Sequence, residues 1–243
     1  MNGALVVGAS GGLGLALTRA LLARSAHAVV FAACRAPHAS AALTALAACH
    51  RERLVPLTLD VTAEDTLAAA ATAVAARGAR LDLLINAAGI LHDATLVPER
   101  RLAEVTPAAL QRAFAVNAVG PLLVARAFAR LFDRDQRSVL ANLSARVGSI
   151  GDNRLGGWYG YRASKAALNM FTRNLAVELG RRHRGLICVA LHPGTVDTAL
   201  SQPFQARVPP ARLFTPERAA TQLLAVMDAL TVGDSGSFFA WDG

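Results

Sequence analysis

A tyrosine and a lysine stand four residues apart in the stretch Tyr161-Arg162-Ala163-Ser164-Lys165, a spacing suited to proton transfer. In a helix, residues i and i+4 lie on one face, so both side chains would point into the same pocket. A free tyrosine has a pKa of about 10, which is too high for acid–base work at neutral pH. Because a nearby ammonium stabilises the phenolate, the pair predicts a tyrosine that exchanges a proton with a substrate oxygen.

Lys165 is the single lysine among the 25 lysine and arginine residues of the chain. An ammonium is a compact point charge, whereas a guanidinium is a broad planar fork. The sequence uses arginine at every other basic position, which indicates that the chemistry at position 165 requires the smaller cation.

A glycine-rich loop, Gly8-Ala9-Ser10-Gly11-Gly12-Leu13-Gly14, follows the first apolar run and precedes a helical segment. Such a loop lets the backbone approach a pyrophosphate, which the helix N-terminus attracts. The spacing fits both GxxxGxG and GxxGxxG, so it does not assign the loop to one group of dinucleotide-binding proteins.

The end of the second apolar run indicates which dinucleotide binds. An acidic residue there would accept hydrogen bonds from an adenosine ribose, but the chain has Arg35 after Cys34. A guanidinium suits a 2′-phosphate. We therefore expect NADP(H), with NAD(H) as the alternative.

Strands and helices must position these groups, and the alternation of short apolar runs with Ala/Leu-rich segments predicts where those elements lie. The runs that predict strands are 3–8, 28–33, 54–59, 81–86, 138–144, 186–192 and 236–241, and the segments that predict helices are 12–24, 39–50, 63–77, 105–132, 160–182 and 216–230. The pattern predicts an α/β fold, a Rossmann-type doubly wound seven-stranded parallel sheet with helices on both faces, in one domain over 1–243. Thr62, Thr106 and Thr215 are the predicted helix starts.

Polar or glycine residues follow several of these runs, where ligands bind in such sheets. They are Asp60-Val61, Asn86-Ala87-Ala88-Gly89, Ser144 and Pro193-Gly194-Thr195, and Asn117 interrupts an apolar helix. Together these motifs resemble the short-chain dehydrogenase/reductase family from Gly8 to about Thr198, and within it the sniffer and C-factor-like carbonyl reductases. The resemblance implies a catalytic tetrad of Asn117, Ser144, Tyr161 and Lys165.

The resemblance also implies the cofactor contacts. The glycine loop would line the pyrophosphate, Asp60 and Val61 would contact adenine, 86–89 would lie behind the adenine ribose, and 193–198 would flank the nicotinamide. The full expected set is Gly8, Ser10, Gly12, Leu13, Gly14, Arg35, Asp60, Val61, Asn86, Ala87, Ala88, Gly89, Tyr161, Lys165, Pro193, Gly194, Thr195, Val196 and Thr198. No metal site is expected.

The implied activity is an oxidoreductase that interconverts a small-molecule carbonyl and an alcohol. The alternative from another class is a dinucleotide-binding signalling or regulatory protein without turnover. A sugar-nucleotide epimerase or dehydratase shares the YxxxK spacing, but 243 residues leave no room for its usual second domain. The loops 90–104, 145–158 and 199–215 are expected to select the substrate, and the last could act as a lid.

Composition bounds the partners and the compartment. The net charge is +8, but the arginines are scattered, so we expect a solvated basic surface and no nucleic-acid partner. Three widely spaced cysteines favour a reducing cytoplasm. Neither a signal peptide nor a membrane span of about 20 apolar residues is recognised. The resemblance implies a homo-dimer or homo-tetramer through helices 105–132 and 160–182.

Overall fold

The computed structural model describes residues 2–25 and 28–243, whose strands build one large sheet and one small one. The strands are β1 (Asn2–Val7), β2 (Val29–Cys34), β3 (Leu54–Thr58), β4 (Arg80–Asn86), β5 (Ser138–Leu143), β6 (Leu186–His192), β7 (Thr195–Val196), β8 (Leu213–Phe214) and β9 (Phe238–Ala240). The large sheet has seven strands in the order β3-β2-β1-β4-β5-β6-β9, and every neighbouring pair is parallel. This order confirms the predicted doubly wound sheet.

Helices cover both faces of this sheet, which explains why its strands are apolar on both sides. The helices are α1 (Gly12–Arg24), α2 (Ala41–Cys49), α3 (Glu64–Ala76), α4 (Pro107–Phe114), α5 (Gly120–Phe128), α6 (Tyr159–Leu179) and α7 (Pro216–Ala229). One apolar core lies under α3, α5 and α6, and the other lies under α1, α2 and α7. Every residue of β2 and β5 is buried between these layers, as a parallel sheet requires.

Two of the three predicted helix starts are confirmed. The side chain of Thr106 accepts a hydrogen bond from the Ala109 backbone N–H, and that of Thr215 accepts one from Arg218. The prediction at Thr62 is wrong, because the N-cap residue of α3 is Ala63 and the helix begins at Glu64. The Thr62 hydroxyl instead donates to the carboxylate of Asp60, 2.7 Å away.

A single π-helical turn, Ala115–Val119, joins α4 to α5 and contains the mid-helix Asn117. The continuous helical stretch Pro107–Leu131 has 25 residues and an 18-residue window of mean hydropathy 1.3, so its length and composition alone would suffice for a membrane span. From the sequence, no membrane span was expected here. Its inner side chains Val124, Ala125 and Phe128 are fully buried in the core of the sheet, where they pack as part of the domain.

The loop predicted over 199–215 contains more structure than expected. Leu213 and Phe214 form β8, which pairs with β7 directly after the sixth strand. Between them lie two short 3₁₀ turns, Gln202–Arg207 and Pro210–Arg212. This pairing fixes both ends of the segment at the carboxyl edge of the sheet.

Candidate active site

The glycine loop between β1 and α1 is built on close backbone approaches. Gly8 has φ +91°, and a Cβ there would lie 2.7 Å from the backbone nitrogen of Ala88. A Cβ on Gly14 would overlap the carbonyl oxygen of Gly8, whereas one on Gly11 would meet open space. Gly12 has φ +52°. The backbone therefore needs glycine at the GxxxGxG positions, which resolves the ambiguity of the sequence.

The N-terminus of α1 offers a cradle for a phosphate. Its N-cap residue, Gly11, has no side chain, so the first N–H groups of the helix lack a side-chain acceptor. The methyl group of Thr198 lies against Gly12, which brings the segment after β7 to the rim of the loop. The loop, the bare helix end and this rim fit the pyrophosphate of a dinucleotide.

Two groups of opposite charge lie at the ends of β2 and β3. Arg35 is exposed directly after β2. The pKa of the Asp60 carboxyl is lowered, first by hydrogen bonds from Thr62 and also by the positive charge of Arg35. Val61 is buried, and a Cβ on Gly120 would collide with it, so its side chain packs under the helix layer.

Asn86, at the end of β4, points its side chain into the sheet layer and away from solvent. It is 2% exposed, and its Nδ2 donates to Oδ1 of Asn142 at 2.7 Å. Asn142 in turn donates to the Thr172 hydroxyl on α6 at 2.9 Å. The following residue, Ala87, donates its backbone N–H to Val7 at 2.8 Å. This segment is thus hydrogen-bonded into the sheet at the end of β4.

Tyr161 and Lys165 share one face of α6. The Nζ atom of Lys165 lies 5.7 Å from the centre of the Tyr161 ring and donates to the carbonyl oxygen of Leu143 at 2.8 Å. Burial lowers the pKa of Lys165 to about 8 and raises the pKa of Tyr161 to about 12. The expected lowering of the tyrosine pKa is therefore not seen here, because burial disfavours the charged phenolate.

Asn117 ties three segments together. Its Oδ1 accepts the backbone N–H of Ile90 and its Nδ2 donates to the carbonyl oxygen of the same residue, both at 2.8 Å. Nδ2 also contacts the Ser164 hydroxyl on α6 at 3.1 Å. A Cβ on Gly89 would lie 3.4 Å from Asn117 Oδ1 and 3.8 Å from Lys165 Nζ, so these groups converge on one point.

Ser144 follows β5 and faces α6. Its hydroxyl donates to Oδ1 of Asn169 at 2.6 Å, and its backbone N–H donates to Leu191 at 2.7 Å. The residue is 4% exposed. In this arrangement the hydroxyl proton of Ser144 is directed at the helix, so donation to a substrate oxygen requires an exchange of partners.

The segment after β6 closes the other side of the site. Gly194 has φ +79°, and a Cβ there would lie 2.6 Å from the Phe214 ring. Thr195 and Val196 form β7, and Val196 is buried with Phe214 and Ala219. The structure thus brings 193–198 to the same sheet edge as the glycine loop.

Three aromatic rings form an outer wall beside Tyr161. The Trp158 ring lies 6.1 Å from the Tyr161 ring and 4.9 Å from the Phe204 ring, both edge to face. His92 contacts Phe204 at 5.7 Å, and its Nε2 lies 3.0 Å from the carbonyl oxygen of Ala199. Phe204 therefore holds the turn 202–207 against this wall.

Other polar groups near the site were not singled out from the sequence, namely Asn169, Thr172, Ser164 and Glu99. Asn169 stands four residues after Lys165, so the same i+4 rule would have placed it on that face.

His192 is half-buried at the end of β6, and burial lowers its pKa to about 4. Within residues 2–25 and 28–243, no group of three or more His, Cys, Asp or Glu side chains could hold a metal ion.

Comparisons with known proteins agree with this geometry. The family model for short chain dehydrogenases matches residues 2–208. The chain is similar to the NADPH-bound carbonyl reductase from chicken fatty liver, with 34% identity, a TM-score of 0.87, and coverage of 99% of this chain and 92% of that one. It is similar to the carbonyl reductase Sniffer of D. melanogaster, with 28% identity, a TM-score of 0.86, and coverage of 100% and 98%.

A third relative is the C-signal protein of Myxococcus xanthus, which is 37% identical over 165 residues, covering 67% of this chain and 90% of that protein. These likenesses confirm the resemblance to the sniffer and C-factor-like group. They also favour an oxidoreductase over a binding protein without turnover. On its motifs, its sheet and the match over residues 2–208, the chain belongs to the short-chain dehydrogenase/reductase family.

Proposed function

We propose that this protein is an NADP(H)-dependent oxidoreductase that interconverts a carbonyl and an alcohol, with Tyr161 as the general acid and base. The observation that carries the proposal is the pair of half-buried Tyr161 and buried Lys165, with Nζ 5.7 Å from the ring centre, at the same sheet edge as the glycine loop. The likeness to carbonyl reductases, one of them NADPH-bound, supports the reaction and the cofactor.

The dinucleotide, when bound, supplies or accepts the hydride. The bare N-terminus of α1 and the close-packed glycines fit its pyrophosphate, and exposed Arg35 fits a 2′-phosphate. The residues proposed to hold it are those expected from the sequence, namely Gly8, Ser10, Gly12, Leu13, Gly14, Arg35, Asp60, Val61, Asn86–Gly89, Tyr161, Lys165, Pro193–Val196 and Thr198. Asn86 acts through the sheet, since its side chain bonds Asn142.

The pKa values of the pair define how it would handle a proton. Tyr161, with its pKa raised to about 12, is protonated at neutral pH and is therefore ready to donate to a carbonyl oxygen. Lys165, with its pKa lowered to about 8, keeps its ammonium at pH 7. That charge stabilises the phenolate as the proton leaves, so the ammonium acts mainly after donation begins.

Asn117 and Ser144 would assist this pair. Asn117 bonds the π turn to Ile90 and to Ser164 on α6, which keeps the segments around Lys165 in place. Ser144 is proposed to polarise the substrate oxygen, a role for which its hydroxyl turns from Asn169 towards the site. Because Trp158 and Phe204 line the outer wall, the substrate is expected to be a neutral, partly apolar carbonyl compound.

The remaining proposals concern the molecule as a whole. We propose one domain over 1–243 that works in the cytoplasm as a homo-dimer or homo-tetramer, without a membrane or nucleic-acid partner. The two apolar cores share a single sheet, which supports one domain. Exposed Met170 and Val177 on α6 support contact between copies along this helix.

Fluorescence titration with NADPH and NADH, followed by turnover on a panel of carbonyl compounds, tests the function. We expect tighter binding of NADPH and reduction of at least one apolar carbonyl compound. The variant Tyr161→Phe tests the mechanism: it should bind NADPH normally yet lose about 10³-fold or more in kcat. Tighter binding of NADH would contradict the role of Arg35, and full activity of Tyr161→Phe would contradict the mechanism.

A further inference from the structure

A buried carboxyl group outside the tetrad lies at the start of the helix that carries Tyr161. Glu99 is 4% exposed and belongs to the segment between β4 and α4. Among the buried residues of the described chain, Glu99 and Lys165 are the two with charged side chains. The described salt bridges do not include Glu99, and its carboxylate instead has a hydrogen-bond partner.

That partner is the backbone of α6. Oε2 of Glu99 accepts the backbone N–H of Gly160 at 3.2 Å, and the carbonyl oxygen of Glu99 accepts the backbone N–H of Trp158. One residue thus holds two donors, at positions 158 and 160, around the first turn of a helix, and the second donor lies 61 positions further along the chain. Tyr161 is the next residue after Gly160.

The first turn of α6 needs such a partner from elsewhere. Its N-cap residue is Trp158, which has no side-chain acceptor and is held at φ +51°, and the first turn contains no acidic residue. The first N–H groups of a helix are unpaired within it, and a negative charge near them is favourable. A distant carboxylate therefore supplies the cap that the local sequence lacks.

We propose that Glu99 is a positioning residue, which caps α6 and thereby fixes Trp158 and Tyr161 for proton transfer. The inference rests on the proposed role of Tyr161. A helix start that frays or shifts would move the phenol relative to Lys165, whose Nζ is held separately on Leu143. A small misplacement of reacting groups costs about 10²-fold in rate.

Gly160 offers a second position at which the contact with the Glu99 carboxylate can be disturbed. A Cβ at this position would lie 3.1 Å from Oε1 of Glu99, so the carboxylate is packed against the glycine. Gly160→Ala would push the carboxylate away without removing its charge. This substitution disturbs the cap from the opposite side.

The test compares Glu99→Ala with Glu99→Gln, which keeps an oxygen acceptor and the side-chain volume. We expect Glu99→Ala to lose about tenfold or more in kcat, since the first turn of α6 is released. Glu99→Gln should recover most of that loss, and the NADPH dissociation constant should stay within twofold in both. Glu64→Ala, at an exposed first-turn acid of α3, is the matched control and should leave kcat unchanged.

Tryptophan fluorescence, which requires no turnover, provides a second measurement beside the kinetics. In a Trp241→Phe background, Trp158 is the single tryptophan, and Glu99→Ala should shift its emission to longer wavelength because the indole leaves its wall. Glu99→Gln should not. Gly160→Ala should reproduce both effects of Glu99→Ala, and it replaces that variant if alanine at 99 prevents folding.

Three outcomes would overturn the proposal. They are an unchanged kcat and emission in Glu99→Ala, equal loss in the alanine and glutamine variants, and a loss of NADPH binding that matches the loss of kcat. Absence of turnover in the unmodified protein would instead reject the proposed function. In that case the emission shift still decides whether Glu99 positions Trp158.

Discussion

Two cations at the same sheet edge differ in almost every physical respect. Arg35, after β2, is exposed beside Asp60, whereas Lys165 on α6 is 4% exposed and donates to a backbone carbonyl. In the proposed function, the exposed guanidinium is expected to act through its charge, which solvent and salt weaken. The buried ammonium is expected to act through its position and its lowered pKa, which the surrounding protein fixes.

The polar contacts described at this sheet edge gather around the buried cation, Lys165. Burying an ammonium disfavours its charged form, and the pKa of Lys165 falls to about 8 as a result. Contacts from Leu143, Asn117 and Ser144 gather on α6 at this end. Substitutions there should change rate, while substitutions at the exposed end should change which dinucleotide binds.

Lys165→Arg should have the largest effect on this comparison. The guanidinium keeps the charge but cannot fit where a compact ammonium donates to Leu143, so we expect kcat to fall about 10²-fold. Arg173→Lys, the reverse exchange at an exposed position of the same helix, should leave kcat within twofold. Steady-state kinetics at saturating NADPH measures both.

The variant Lys165→Arg also tests how kcat depends on pH. The ammonium of Lys165 is present below its pKa of about 8 and is lost above it, so kcat for reduction should decline as pH rises through 8. Arginine stays protonated throughout this range, so the residual activity of Lys165→Arg should lack that decline. An unchanged pH profile in the variant would show that another group sets it.

Ser144→Ala should have a smaller effect at the same buried end. To donate to a substrate oxygen, the hydroxyl must give up its 2.6 Å bond to Asn169. One hydrogen bond then replaces another, so the net gain is about 1.4 kcal/mol and kcat should fall about tenfold. Thr72→Ala, which removes an exposed hydroxyl that donates to the carbonyl oxygen of Ala68 within α3, is the control. A loss as large as that of Lys165→Arg would mean that the hydroxyl faces the substrate from the outset.

Local rules predicted much of this site. The i, i+4 spacing placed Tyr161 and Lys165 on one face, and the apolar runs predicted the sheet whose strand ends carry the polar residues. The choice among the loop glycines required the structure, because it depends on the approach of Ala88 from β4. Contacts between distant segments are not encoded in local spacing.

The errors have the same origin. The expected lowering of the Tyr161 pKa rested on its neighbour on the helix and not on burial, which raises the pKa. The link from Ser144 to Asn169 and the cap from Glu99 to Gly160 span 25 and 61 positions. The π turn at Asn117 also depends on such a contact, since its carboxamide bonds Ile90 across the site.

Arg35→Ala should have the smallest effect, and it tests the exposed side of the comparison. Loss of one charge-assisted contact at an exposed site should raise the NADPH dissociation constant about tenfold at low salt and leave that for NADH unchanged. Because exposed charges are screened, the difference between the unmodified protein and the variant should shrink as ionic strength rises. Arg184→Ala, at an exposed arginine that pairs with Asp135 near the amino-terminal end of β6, should change neither constant. A difference that salt does not reduce would place Arg35 in a desolvated pocket around the phosphate, and the two ends of the site would then work by the same physics.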